Sequence, residues 1–110
     1  MIQWIFSERE QGFEAKYAHD QEAMFRMHAR RDHLFGVWAA GQLGYTPGAA
    51  EDYAAALVAD DVHPAQPDAI LARVRRDLRG TVSETALRMR FAECEVQARR
   101  EMLPPPQADV

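Results

Sequence analysis

The sequence predicts an all-α fold: a small four-helix bundle with a flexible N-terminal arm. Three observations carry that reading. Apolar residues recur at steps of three and four in four separate stretches, helix stop and start signals fill the joints between them, and no β alternation or hairpin dipeptide occurs. With 110 residues and 47% apolar content, the chain has the size of one domain and enough material for a modest core.

The first stretch is the longest. Residues 7–44 hold no proline and, before Gly36, only Gly12, so about 30 residues can run as one continuous helix. Its halves differ. From Leu34 onward the apolar side chains are dense (Phe35, Val37, Trp38, Ala39, Leu43), enough for one face to bury against partners. Before Met24, Phe6, Phe13 and Tyr17 stand among Glu8, Arg9, Glu10, Glu14, Lys16 and Asp20. A polar helix of that length is marginal alone in water. The distal half is therefore expected in the core, and residues 1–20 as an arm, loosely ordered when free and ordered on a partner.

Gly44, Thr46 and Pro47 read as a helix stop followed by a cap and a first helical residue. The next helix repeats Ala50, Tyr53, Ala54, Leu57 and Val58 on one face, and should end at Asp60 and Asp61, where the dipole disfavours anions. His63-Pro64-Ala65-Gln66-Pro67 is a rigid link. Residues 68–79 set Ile70, Leu71, Val74 and Leu78 on one side and Arg73, Arg75, Arg76 and Arg79 mostly on the other, with Gly80 as the stop. Ser83 is the next cap, Val82 and Leu87 the ends of a hydrophobic staple, and Leu87, Phe91, Cys94, Ala98 and Met102 a core-facing seam. The three prolines at 104–106 stop that helix. The domain reading is an arm at 1–20, a four-helix unit at 21–103 and a disordered proline-rich tail at 104–110.

Charge and cysteine usage narrow the functional classes. A net charge of −4, with five basic against ten acidic side chains in residues 1–65, lacks the concentrated positive field that nucleic acid selects. The lone Cys94 can form no internal disulfide, and a reducing compartment follows. The MIQWIF start is short, lacks a basic flank and meets charge at Glu8, so neither a secretory signal nor a spanning helix is expected. The expectation is a soluble cytoplasmic protein with no direct membrane insertion.

No phosphate loop, metalloprotease helix, nucleophile elbow or calcium loop occurs, and no catalytic residue, cofactor or metal is assigned. His28 and Asp32 share a helix face, but two ligands are too few to define a metal site. His19 and Asp20, one apart, diverge around the helix. Arg26, Arg30 and Arg31 suit a grip on an acidic partner or a phosphate, but the favoured expectation is that they pair with Glu22 and Asp32 on a solvated face. Trp38 is expected in the core. Phe13 and Tyr17 are the telling pair: four apart, they share one face that the surrounding charges cannot bury, which leaves two readings, an arm packed back on its own bundle or helix-in-groove recognition of a partner.

These residues also carry a resemblance. Arg9-Glu10, the run from Phe13 through Glu14, Lys16, Tyr17 and His19 to Asp20, then Phe25, Arg30-Arg31, Leu34 and the Gly36-Val37-Trp38-Ala39-Ala40 run resemble, without a gap, the signature of the zeta inhibitor subunit of bacterial F-type ATP synthases. Ser7, Asp32 and Ala86 depart from the residues common at their positions. The resemblance implies a four-helix protein, monomeric when free, that blocks ATP hydrolysis by placing its arm between catalytic and rotor subunits of the synthase head. Carried over by position, the partner-binding residues are Ser7, Glu8, Arg9, Glu10, Phe13, Glu14, Lys16, Tyr17, His19 and Asp20. The alternative is a helical adaptor or adenine-nucleotide-binding module using Arg73 and Arg76 between helices.

Overall fold

In the computed structural model the backbone is described for residues 2–103 and side chains from residue 15 onward. It forms four helices: α1 (Ile2–Gln42), α2 (Pro47–Asp60), α3 (Asp68–Leu78) and α4 (Glu84–Met102). No strand occurs among the described residues. The expected tail at 104–110 lies outside them.

Helix α1 is the spine. Its 41 residues correspond to a rod about 60 Å long, and the other three helices all pack on its C-terminal half. Helix α4 runs antiparallel to it: Phe91 meets Phe35 edge to face at 5.1 Å, Glu95 reaches Arg31 and Glu101 reaches Arg30. The core gathers Phe35 and Ala39 of α1, Leu57 of α2, Ile70, Leu71, Val74 and Leu78 of α3, and Leu87, Phe91 and Cys94 of α4. Trp38 stacks on Phe35 at 5.6 Å and stays half-buried, with Arg90 over its outer face. The expected α4 seam is buried from Leu87 to Ala98, but Met102 at its end is exposed.

The joints follow local chemistry. Gly44 takes φ 75°, and the Thr46 hydroxyl accepts from the Ala49 amide at 3.3 Å to cap α2. The Ser83 hydroxyl accepts from Ala86 at 3.1 Å and caps α4, with Val82 against the core. One stop differs from expectation. Arg79, ahead of Gly80, is already left-handed at φ 51°, and Gly80 follows at φ 75°. The Thr81 amide and hydroxyl both donate to the Leu78 carbonyl, at 3.1 and 2.7 Å, and these bonds hold the chain through a turn that costs a non-glycine residue about 1 kcal/mol.

Gly36 sets the α1/α2 distance. A Cβ there would lie 2.8 Å from the Ala54 Cα, so the helices cross closely because one lacks a side chain and the other has only a methyl group.

Candidate interaction surface

Helix α1 changes character at Ala23. From there Ala23, Met27, Arg31, Phe35 and Ala39 follow at steps of four, all buried, forming the inward seam of the helix. On the N-terminal side of Ala23 every described side chain, residues 15–22, is exposed. Lys16, His19 and Asp20 face solvent, and Tyr17 is 67% exposed. An aromatic ring so placed gains nothing from the body's core. The side chains of Ser7, Glu8, Arg9, Glu10, Phe13 and Glu14 lie outside the described residues.

At the root of this segment Phe25 is 68% exposed. Together with Ala29, Val58 and Met102 it lines a shallow apolar groove flanked by Arg26 and Arg30. Arg30 is held by Glu101 at 2.6 Å, which ties the end of α4 to α1 beside that groove.

One turn deeper lies a charge cluster that overturns the expected solvated face. Arg26 does pair with Glu22, at 3.8 Å on the surface, but Arg31 and Asp32 are each only 1% exposed. The Arg31 guanidinium reaches Asp32 at 2.9 Å, Glu95 of α4 at 3.2 Å, the Pro64 carbonyl of the α2–α3 link at 2.9 Å and Asp61 at 3.7 Å, with its planar head 4.7 Å from the Phe91 ring centre. Five partners around one cation are what burial of arginine demands. Of the carboxylates at the C-terminal end of α2, Asp60 is answered by Arg73 at 2.8 Å, whereas Asp61 has only the longer ion pair to Arg31. The sequence did carry a signal for the cluster, since Arg31 falls on the Met27–Phe35 seam.

The remaining sequence-derived candidates separate. Asp32 is committed to Arg31, and no group of three or more metal-ligating side chains exists among the described residues. Arg73 sits at the end of α2, whereas Arg76 lines a different recess with Tyr45, Tyr53, Asp77 and Arg79. In that recess the Tyr53 hydroxyl donates to Asp77 at 2.8 Å, and burial followed by that bond pushes the phenol well above its ordinary range. Burial raises the Cys94 thiol to about 11, which keeps it a small hydrophobe rather than a nucleophile.

The sequence profile of ATPase inhibitor subunit zeta matches residues 3–101. The chain belongs to the ATPase inhibitor subunit zeta family. Comparison with curated proteins and with solved structures returned no match. The zeta-family match spans both the exposed residues 15–22 of α1 and the four helices packed beyond them, so the two belong to one unit of sequence. No helix among the described residues of this zeta-family chain is long and apolar enough to cross a membrane.

Proposed function

We propose that this zeta-family chain inhibits ATP hydrolysis by a bacterial F-type ATP synthase, inserting residues 1–20 as a helix between catalytic and rotor subunits while residues 21–103 remain outside. The observation that carries this reading is the family match over residues 3–101. It is supported by the exposure of residues 15–22, whose side chains are free to meet another surface.

A rotary enzyme stops when an element is wedged between parts that must move past each other. That demands a lever, anchors and a body too large to follow. The lever is α1, continuous into the core, where buried Met27, Arg31 and Phe35 root it. The anchors are Phe13 and Tyr17, with Glu8, Arg9, Glu10, Glu14, Lys16, His19 and Asp20 setting register and Ser7 opening the segment. Aromatic anchors in pockets dominate such interfaces. The protein acts from the cytoplasmic side, where the synthase head lies.

The test is an ATPase assay of the cognate synthase head with the full chain and with a form lacking residues 1–20. Inhibition is expected from the full chain alone, while the truncated form still melts cooperatively. Inhibition by the truncated form rules the arm out.

A further inference from the structure

The Arg31 cluster holds more acid than its base can answer. Asp32 on α1, Asp61 at the end of α2 and Glu95 on α4 converge on one guanidinium. Arg99, 3.8 Å from Glu95, supplies a second and more distant cation at the rim. His28, one helical turn before Asp32, is held below the ordinary histidine range by burial and then by Arg31, so it adds no positive charge at neutral pH. Two cations therefore face three carboxyl groups.

One atom shows where the imbalance falls. Asp61 Oδ2 is buried and accepts no hydrogen bond from any donor, and its contact with Arg31, at 3.7 Å, is too long to be one. Buried polar atoms without partners are rare and expensive. Asp32 and Asp61 converge on one nitrogen of Arg31, Nη2, at 2.9 and 3.7 Å. Two carboxylates cannot bond to each other, but a carboxylic acid and a carboxylate can. A proton between them satisfies the orphaned oxygen and balances the cluster at two positive and two negative charges.

We propose that Asp32 and Asp61 share one proton in the folded protein, making the Arg31 cluster a proton-dependent lock that holds the α2–α3 link on α1. Burial first, and then the hydrogen bond to Asp61, raise the Asp32 carboxyl to about 8 against the opposing pull of Arg31. When the proton leaves, two carboxylates remain on the guanidinium nitrogen that also bonds the Pro64 carbonyl, so their mutual repulsion bears on the link's attachment to α1.

The direction of the pH effect follows from linkage. A carboxyl whose folded pKa lies above its unfolded value gives stability that is complete below about pH 4 and is lost as pH rises toward 8, because the folded state holds the extra proton in that window. His28, held below the ordinary histidine range, acts in the opposite sense, since its folded state sheds a proton first. A comparison with Asp32→Asn isolates the pair: the amide still donates to Asp61 but does not titrate.

The deciding measurement is a carbon-13 titration of the aspartate side-chain carboxyls in the full-length protein. A midpoint above pH 7 on Asp32 or Asp61, with link residues 62–66 shifting at the same midpoint, is expected. Midpoints for both in the ordinary range near 4 overturn the proposal. Thermal melts give a second reading. Between pH 5 and 8 the wild-type protein should lose stability relative to Asp32→Asn with a slope approaching one proton, whereas parallel curves count against the shared proton. Neither readout involves the synthase, so the lock stands or falls apart from the inhibitory role.

Discussion

The two ends of helix α1 use the same backbone for opposite purposes. From Ala23 onward every fourth residue is buried, and the helix is fixed by what packs on it. Over residues 15–22 no described side chain is buried, so the helix gains nothing from the body except its direction. Tertiary packing supplies most helix stability in globular proteins. A helix that outruns its packing is therefore cheap to reshape at one end and costly to alter at the other, and substitutions should separate the two ends cleanly.

The largest effect is expected at Arg31. Arg31→Ala leaves Asp32, Asp61 and Glu95 facing one another without their cation and frees the Pro64 carbonyl. Breaking a buried ion pair from one side costs about 3–5 kcal/mol. Urea denaturation should show most of the body's stability gone; a loss under 1 kcal/mol would mean that the cluster is hydrated and bears little on the fold. Gly36→Ala comes next. The added methyl meets the Ala54 Cα at 2.8 Å, forcing α1 and α2 apart, for about 1–3 kcal/mol less the alanine's better helix propensity of about 1 kcal/mol. A neutral or stabilising result would show that the crossing can open without cost.

These two sites also mark how far the sequence could be read. The four helices, the Thr46 and Ser83 caps, the Pro47 start and the Asp60 end were legible because they depend on local chemistry within a few residues. The seam of α4 was legible for the same reason. Arg31 carries two conflicting signals: by charge pattern Arg30-Arg31-Asp32 looks like a solvated run, and only its place between Met27 and Phe35 gives away its burial. Its partners Asp61, Pro64 and Glu95 lie far along the chain and have no local signal linking them to it. Gly36 was invisible as a contact because nothing near it in sequence names Ala54. Of the proposed partner-binding segment, Lys16, Tyr17, His19 and Asp20 are exposed, as their charge-rich surroundings in sequence suggest. Which surface such exposed residues would meet is not encoded in the periodicity of this chain.

A smaller effect tests local capping inside the body. Ser83→Ala removes the acceptor for the Ala86 amide at the start of α4 and should cost about 1 kcal/mol. The neighbouring ion pairs of Glu84 with Arg75 and Arg88 are exposed and should not compensate. A drop in melting temperature of a few degrees, with inhibition unchanged at temperatures where the body stays folded, keeps the two ends of α1 distinct.

The smallest change in stability belongs to Tyr17→Ala, and for the comparison it is the most informative. With 67% of its surface exposed, Tyr17 contributes little to the body, so the substitution should move unfolding free energy by less than about 0.5 kcal/mol. If Tyr17 is an anchor on the synthase, the same substitution should weaken inhibition by about tenfold or more, since buried aromatic anchors lose at least 1–2 kcal/mol on truncation. The two readouts move independently only where the residue contacts another protein and not its own core. Phe13→Ala combined with Tyr17→Ala sharpens the result: inhibition should fall further while the melting temperature holds. A large fall in melting temperature for the pair would mean that the segment packs back on its own bundle and that the division at Ala23 is not a division of function.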